Sequence, residues 1–504
     1  MVNFDWAQTW ANYHPDRIAL KDWDSGKTLT YGQLNHQGEV AATFLAETYG
    51  LGSGDRIAVL AENCTEYVAL FSAAQKAGFI LAPLNYRLSR EELLYVVENA
   101  APKVVLVQEK FASLWDEEMA TATRTAWLAI ETFSAVLERP LKTGFSRPRP
   151  HLTPGHPVFI LYTSGTTGYP KGALYTHEMM FWNSVNTAMR LDLTSTDRTL
   201  NFMPPFHTGG WNVLLTPFLH HGGYTCLMRQ FDAGEVLKAL DEERCTLFMG
   251  VPTMLKMLAE HPEFSGANFS SLRFCIVGGE PMPVPLIETW HQRRVYIRQG
   301  FGMTEAGPNL FSLHQDDAVR KAGSIGKPNF YVQVRIVDEE GNDVAPGEAG
   351  ELLIRGEIVT PGYWENAEAT HLAFSGPWLR TGDLLRQDEE GYFYVQDRLK
   401  NMFISGGENV YPAEIERVLV LHRAVKEVAV IGVPHEKWGE SGCAFVSLKP
   451  GTTTTGAELA AFCQEKLARF KTPKSFVFLP DLPKNATGKI DRQALKKNYS
   501  LSNV

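Results

Sequence analysis

A stretch of eleven residues, Tyr162–Gly172, carries side chains that together could bind a phosphate group. Its glycines would let several backbone N–H groups approach one anion, and Lys171 would add a positive charge. The segment is not a Walker A loop, because the spacing G-x-x-x-x-G-K-[ST] is absent and Gly172 follows Lys171. A plain Ser/Thr/Gly turn is the alternative. The order of residue types favours a phosphate loop formed by Thr163, Ser164, Gly165, Thr166, Thr167, Gly168 and Lys171.

The same segment resembles the signature loop of the adenylate-forming superfamily, which contains acyl-CoA synthetases, peptide-synthetase adenylation domains and beetle luciferases. The resemblance covers essentially the whole chain, because the later motifs of the family follow in their fixed order. It implies an α/β fold with a large N-terminal domain of two doubly wound α/β subdomains plus an antiparallel β subdomain, followed by a small mobile α+β C-terminal domain. We expect the N-terminal domain at residues 1–398, its β subdomain at about 330–396, and the C-terminal lid domain at 399–504.

Two further segments are similar to the family's nucleotide motifs. In Gln299–Gly307, Phe301 could stack on a purine, Thr304 could donate to a phosphate, and Glu305 could hold magnesium. The family more often has tyrosine where Phe301 stands, so any contact from that hydroxyl is lost. In the turn that contains Glu280, this carboxylate replaces a small residue, so it must point away from a carboxylate substrate or be paired. The resemblance implies a nucleotide site that includes Gly279, Glu280, Gly300, Phe301, Gly302, Met303 and Thr304, a substrate wall that includes Gly278, Gly279 and Gly302, and magnesium ligands Glu305 and Thr163.

Motifs nearer the C-terminus imply further roles. Asp383 is only an acceptor when ionised, which suits the two ribose hydroxyls of a nucleotide. Arg398 would reach the ribose or a phosphate, and Lys400 corresponds to the hinge about which the C-terminal domain swings. Lys489 would neutralise charge that develops on the α-phosphate and on the attacking carboxylate. A tunnel for the pantetheine of CoA would be lined by Ser405, Gly406, Gly407 and Glu408.

The segment Met203–Trp211 resembles the acyl-pocket segment of acyl-CoA synthetases. His207 would close one side of the carboxylate site, and a helix-capping role is its alternative. Trp211 lies one helical turn later, so we expect the two side chains to share a face, where the indole could gate an apolar pocket or be ordinary core. In the family, relatives that activate amino acids have an aspartate in this segment, which holds the ammonium group of the substrate. This chain has none here, and an ammonium would be costly to bury unpaired. A fatty or aryl acid is therefore favoured.

The resemblance as a whole is greatest to bacterial fatty-acid–CoA ligases. It implies an ATP-dependent carboxylic acid–CoA ligase of lipid metabolism that activates a medium- or long-chain fatty acid through an acyl-adenylate, with a rotation of the C-terminal domain between the two steps. ATP, magnesium and coenzyme A are the implied cofactors and substrates. An aryl-acid–CoA ligase with the same mechanism and a non-catalytic adenylate-binding protein are the alternatives.

Hydrophobic periodicity predicts the elements that must position these residues. Alternating strands and helices at 17–107 and from about 158 to 325 indicate mostly parallel, doubly wound sheets, and capping boxes begin helices at Thr30 and Ser89. Strands and turns follow at about 330–396. Beyond residue 400 we predict helix 412–421, strand 427–433 and helix 456–469.

Composition excludes several classes of protein. The chain of 504 residues is 44% apolar with a net charge of −9, which is typical of a globular protein and not of a disordered chain or a general nucleic-acid binder. Its six dispersed cysteines have no metal-ligand or disulfide-scaffold spacing. We find no signal peptide and no apolar run long enough to span a membrane, and expect a cytoplasmic protein. Peripheral membrane contact and a homodimer are left open.

Overall fold

The computed structural model of the chain describes residues 3–140, 150–163, 170–405, 408–436, 438–467, 469–485 and 489–502. The α-helices are α1 (Trp6–Tyr13), α2 (Tyr31–Tyr49), α3 (Thr65–Ala77), α4 (Arg90–Ala100), α5 (Glu117–Thr123), α6 (Ile130–Leu137), α7 (His177–Leu191), α8 (Leu215–His221), α9 (Ala233–Glu242), α10 (Pro252–Glu260), α11 (Val284–Gln292), α12 (Ala367–Ala373), α13 (Pro412–Leu419), α14 (Gly456–Gln464) and α15 (Arg492–Ser502).

The β-strands are β1 (Ile18–Asp22), β2 (Thr28–Thr30), β3 (Arg56–Leu60), β4 (Ile80–Pro83), β5 (Val104–Val107), β6 (Ala126–Ala129), β7 (Pro157–Thr163), β8 (Lys171–Thr176), β9 (Arg198–Asn201), β10 (Tyr224–Leu227), β11 (Leu247–Gly250), β12 (Phe274–Val277), β13 (Tyr296–Met303), β14 (Gly307–Leu313), β15 (Lys327–Pro328), β16 (Gln333–Val337), β17 (Ala349–Arg355), β18 (Phe374–Ser375), β19 (Trp378–Gln387), β20 (Phe393–Arg398), β21 (Phe403–Ser405), β22 (Glu408–Val410), β23 (Val425–His435), β24 (Gly439–Leu448) and β25 (Ser475–Phe478).

Six strands form the first sheet, in the order β6-β5-β3-β4-β7-β8. All neighbours are parallel except β7 and β8, which make an antiparallel hairpin. Strands β4 and β5 are buried along their whole length, as expected where helices cover both faces of a parallel sheet. This confirms the predicted α/β class.

The next two sheets have the orders β2-β1-β10-β9 and β11-β12-β13-β14-β15. The two predicted series of strands and helices do not correspond to separate sheets. Strands β7 and β8 of the second series extend the sheet of the first, because β7 pairs with β4. Strand β1 of the first series pairs with β10 of the second. Local periodicity predicts that strands form, but it carries no information on which distant strand each one joins.

The two predicted capping boxes are confirmed. The hydroxyl of Thr30 accepts from the backbone N–H of Gln33, whose side chain accepts in return from the backbone of Thr30. Ser89 and Glu92 make the same reciprocal pair at the start of α4. Both helices therefore begin where the sequence predicts, because the orphan N–H groups of a first turn are satisfied locally.

Antiparallel strands follow, as predicted. β19 pairs with β20, and the last sheet has the order β22-β21-β24-β23 with β25 parallel to β24. Alternate residues of β23 pack on its two faces, Val428 and Val430 on one and Ala429 and Ile431 on the other. Helices α13 and α14 end before the predicted residues 421 and 469.

The chain divides into two compact units, Met1–Val334 with Ile354–Leu379, and Arg335–Leu353 with Arg380–Val504. This division groups β20 with the C-terminal residues, whereas the sequence predicts a junction at residues 398 and 399. The predicted junction rests on the hinge motif at Lys400, and it stays a prediction.

Within the described ranges, no helix is both long enough and apolar enough to cross a membrane. The six cysteines are buried and form no disulfide, in agreement with their dispersed spacing.

Candidate active site

The carboxylate of Glu305 is the centre of a small polar cluster in the first unit. Its Oε1 accepts a hydrogen bond from the Tyr363 hydroxyl at 3.0 Å and lies 3.4 Å from the Thr163 hydroxyl. Lys171 Nζ lies 5.6 Å from the centre of the Tyr363 ring. Glu305 is 8% exposed, so a buried carboxylate, a hydroxyl and a cation converge at one place.

The β7–β8 hairpin positions two members of this cluster. Thr163, the last residue of β7, is in register with Lys171, the first residue of β8, so the pairing of the two strands holds the ends of the loop together. Tyr162 anchors the strand end by donating to Asn99 Oδ1 at 2.7 Å, and burial raises the pKa of its phenol well above the usual value. The predicted loop residues Ser164, Gly165, Thr166, Thr167 and Gly168 lie outside the described residues.

A tight β13–β14 turn positions Glu305. A Cβ atom at Gly302 would lie 2.3 Å from the Pro308 carbonyl, so only glycine allows the two strands to approach this closely. Gly307 has a φ of +77°, a left-handed conformation that favours glycine. The backbone carbonyl of Glu305 accepts from Thr360 N at 2.7 Å. The spacing of glycines in the predicted motif thus has a structural cause beyond nucleotide contact.

Tyr363 is the member of the cluster that sequence reasoning missed. It lies in the segment Thr360–Trp364, which runs beside β8: Leu174 N donates to the Gly362 carbonyl and Trp364 N donates to the Gly172 carbonyl. The Thr360 hydroxyl donates to the Leu174 carbonyl at 2.7 Å. The signal available in the sequence was Pro361-Gly362 followed by two aromatic residues, which marks a turn but no function.

The donor set at Glu305 fits magnesium. Mg²⁺ is usually held in proteins by one or two carboxylates together with substrate phosphates and waters, and it prefers oxygen ligands. Glu305 supplies the carboxylate and Thr163 a hydroxyl beside it, with Lys171 near enough to share a polyphosphate ligand.

The predicted nucleotide residues adjoin the β12–β13 edge. Phe301 packs edge-on against Phe311 and is half-buried. Gly300, Gly302, Met303 and Thr304 are also half-buried. Gly279 has a φ of +88°, which explains a glycine in the turn after β12. The side chain of Glu280 is exposed, and its backbone carbonyl accepts from Gln299 Nε2, while Gly278 directly follows β12.

The acyl-pocket segment forms a π-helical turn, Gly209–Val213, instead of the expected α-helical turn. His207 precedes this turn, half-buried, with its ring 4.6 Å from that of Phe206. Trp211 is 1% exposed and packs against Phe71 and Phe159, and its indole N–H donates to the Pro205 carbonyl. Trp211 is therefore part of the core, one of the two roles left open by the sequence.

The second unit contains the remaining predicted residues. Asp383 and Arg398 face each other in the β19–β20 register, and Arg398 Nε lies 2.5 Å from Asp383 Oδ1. Asp383 is buried and Arg398 is half-exposed. Next to them, Asp397 accepts from Ala413 N at 2.7 Å and so stabilises the start of α13.

Lys489 is exposed and forms no ion pair with any residue that the structure describes. Its backbone N–H donates to Asn485 Oδ1 at 3.1 Å, and Asn485 N donates to its carbonyl at 2.8 Å, so these two residues are held together. Lys400 lies in a 3-10 turn, Leu399–Asn401. Of the predicted tunnel residues, Ser405 ends β21 and Glu408 begins β22, whereas Gly406 and Gly407 lie outside the described residues.

Comparison with known proteins finds similarity along the whole chain. A family model described as "AMP-binding enzyme" matches residues 7–364, and one described as "AMP-binding enzyme C-terminal domain" matches residues 414–489. A feruloyl-CoA synthase of an Amycolatopsis species is 37% identical over 98% of both chains. A long-chain-fatty-acid–CoA ligase of Mycobacterium tuberculosis is 36% identical over 99% of both chains. The o-succinylbenzoate CoA synthetase of Bacillus subtilis, solved with its acyl-adenylate intermediate, superimposes with a TM-score of 0.89 at 31% identity over 98% of both chains.

Proposed function

The chain belongs to the AMP-binding enzyme family, and we propose that it is an ATP-dependent carboxylic acid–CoA ligase that works through an acyl-adenylate. The observation that carries the proposal is the cluster in which the Glu305 carboxylate meets the hydroxyls of Tyr363 and Thr163 beside Lys171. Such a cluster suits a magnesium polyphosphate. The o-succinylbenzoate CoA synthetase of similar fold has also been solved with ATP and a magnesium ion.

In the first step, a carboxylate oxygen of the acid attacks the α-phosphorus of ATP and the bond to pyrophosphate breaks. Glu305 and Thr163 would hold magnesium, which when bound supplies positive charge to the phosphates. Lys171 orients the polyphosphate, and Phe301 offers a face to the adenine. Lys489 neutralises charge that develops between the carboxylate and the α-phosphate.

In the second step, the thiolate of CoA attacks the acyl carbon and AMP leaves with the electrons of the broken carbon–oxygen bond. Asp383 and Arg398 hold the ribose of the nucleotide through both steps. A rotation of residues 399–504 about Lys400 would replace Lys489 by the 405–408 segment, which receives pantetheine.

The cytoplasmic location also stays a prediction.

For the acid we propose a medium- or long-chain fatty acid, supported by the absence of charged groups in the 203–211 segment and by the fatty-acid–CoA ligase among the relatives. An aryl acid is the second candidate, and a specific observation favours it. Trp211 is locked between aromatic rings of the core and cannot swing aside for a long chain without breaking that packing.

The test is acid-dependent ATP–pyrophosphate exchange over octanoic, hexadecanoic, benzoic and cinnamic acids, followed by mass spectrometry of the CoA product. We expect exchange and thioester formation with one class of acid. Exchange with no acid over a broad panel would contradict the proposal and favour a non-catalytic adenylate-binding protein.

A further inference from the structure

The π-helical turn Gly209–Val213 is held at its C-terminal end by side chains from outside it. The carbonyl of Asn212 accepts from Asn183 Nδ2 at 2.6 Å and from Asn309 Nδ2 at 3.2 Å. The carbonyl of Val213 accepts from Asn309 at 3.2 Å. These carbonyls are buried, and a buried carbonyl without a partner is costly, so the two amides replace the backbone donors that a regular helix would supply.

The Asn309 amide is itself held by a buried hydroxyl. Thr187 Oγ1 accepts from Asn309 Nδ2 at 2.5 Å and donates to the backbone carbonyl of Asn183 at 2.7 Å, so Asn309 is connected to the turn of α7 that carries Asn183. Asn183 is 0% and Asn309 8% exposed. Neither residue belongs to any motif that the sequence singled out, yet both direct an amide donor at the same turn.

The held turn is connected to His207. Gly210 N donates to the His207 carbonyl at 3.0 Å, and Asn212 Nδ2 donates to the Thr208 hydroxyl at 3.2 Å. A Cβ atom at Gly210 would lie 2.3 Å from the Pro204 carbonyl, so the segment has no room to shift towards residue 204. The backbone that carries His207 is therefore fixed by Asn212, whose own carbonyl is fixed by the two amides.

Asn309 also lies on the strand that follows Glu305. Between them, Gly307 approaches Asn183 so closely that a Cβ atom there would lie 3.1 Å from Asn183 Oδ1. One hairpin thus carries the carboxylate expected to hold magnesium and the amide that holds the acyl-pocket turn.

We propose that Asn183 and Asn309 are positioning residues for the acid substrate, which fix the π-helical turn and hence His207 relative to the hairpin of Glu305. This inference rests on the proposed acid–CoA ligase function. It predicts that loss of either amide donor weakens use of the acid and leaves use of Mg-ATP unchanged. The hydrogen bonds of Glu305 go to Tyr363, Thr163 and Thr360, and none of these residues belongs to the turn.

The experiment compares Asn309→Asp and Asn183→Asp with Asn186→Asp as the matched control. Asn186 is also on α7 and 0% exposed, but its Oδ1 accepts from Tyr331 N and it makes no hydrogen bond to the turn among the described residues. All three changes keep the side-chain shape and remove an amide donor. Thr187→Val is a second variant that removes the orienting hydroxyl.

In ATP–pyrophosphate exchange with the best acid of the panel, we expect the KM of the acid to rise about tenfold in Asn309→Asp and Asn183→Asp, with the KM of Mg-ATP within about twofold of the original. Thr187→Val should also raise the KM of the acid, whereas Asn186→Asp should change neither the KM of the acid nor that of Mg-ATP. Equal shifts of both constants, or an equal acid effect in Asn186→Asp, would overturn the proposal.

A second readout does not depend on activity. Amide hydrogen exchange of residues 206–214 should become faster in Asn309→Asp and Asn183→Asp but not in Asn186→Asp. Unchanged amide hydrogen exchange in both variants would overturn the positioning role, whether or not the protein activates an acid. Absence of ligase activity in the original chain, by itself, would count only against the proposed function.

Discussion

The hydroxyl of Tyr363 donates a hydrogen bond of 3.0 Å to Oε1 of Glu305, across 58 positions of sequence. The carboxylate expected to hold magnesium is therefore oriented by a side chain that lies in none of the recognised motifs. Tyr363 also places its ring 5.6 Å from the charged end of Lys171. One residue thus connects the carboxylate and the cation of the proposed phosphate site.

Replacing Tyr363 by phenylalanine keeps the ring near Lys171 but removes the hydrogen bond to Glu305. Hydrogen bonds to charged groups contribute about 1.5–3 kcal/mol. We expect kcat/KM for Mg-ATP in pyrophosphate exchange to fall by about tenfold or more. Tyr175→Phe is the matched control, because the hydroxyl of Tyr175 is buried without a hydrogen-bond partner in the described part of the chain. Equal rates in the two variants would contradict the role of Tyr363.

Replacing Glu305 by glutamine removes the carboxylate charge with little change of shape. We expect exchange activity to fall by about 100-fold and the magnesium concentration for half-maximal activity to rise, because an amide is a weaker ligand for Mg²⁺ than a carboxylate. The exposed Glu288→Gln on α11 serves as control. A fall in rate with an unchanged magnesium requirement would show that Glu305 does not hold the metal.

Arg492 and Glu416 connect the end of the Lys489 loop to α13. The guanidinium lies 2.6 Å from both carboxylate oxygens of Glu416, which also accepts from Val430 N. Burial raises the pKa of Glu416, and removal of its cation leaves that carboxyl uncompensated. We expect Arg492→Ala to lower the free energy of urea unfolding by about 2 kcal/mol. Lys426→Ala, which breaks the exposed ion pair with Asp481, should leave the free energy of unfolding unchanged. Similar midpoints for both variants would contradict this assignment.

Stability should decrease in mild acid. His177 is fully buried and desolvation lowers its pKa to about 3, whereas the unfolded histidine titrates near 6.5. Between these values the unfolded chain binds more protons than the folded chain, so the free energy of unfolding falls with decreasing pH by about 1.4 kcal/mol per unit for this group. Urea unfolding at pH 7 and pH 5 measures the slope.

His177→Leu should flatten that slope, because it removes the titrating group, and it breaks no side-chain hydrogen bond among the described residues since neither ring nitrogen has a partner there. His371→Leu, at an exposed position of α12, is the control and should leave the slope unchanged. An unchanged slope in His177→Leu would contradict the account.

The sequence predicts the features that depend on neighbouring residues. The capping boxes at Thr30 and Ser89 and the strands around Val105 and Ile160 are local, and the structure has them. The resemblance identified Glu305 and Thr163 as residues of one site, and the two side chains are adjacent.

Long-range relationships could not be predicted in the same way. Nothing local indicates that β1 pairs with β10, or that Tyr363 reaches Glu305. The helical spacing of His207 and Trp211 predicts a shared face, but the amides of Asn183 and Asn309 stabilise a π-helical turn there. Tertiary hydrogen bonds decided the conformation at this position, against the local pattern.

The central claim is that Lys489 acts in adenylate formation and not in thioester formation. The most direct measurement is a comparison of Lys489→Ala with the original protein in both half-reactions. We predict that the variant loses acid-dependent ATP–pyrophosphate exchange by about 100-fold or more, yet converts a supplied acyl-adenylate and CoA into acyl-CoA at a nearly unchanged rate. Equal losses in both half-reactions, in a variant that is folded by circular dichroism, would contradict the account.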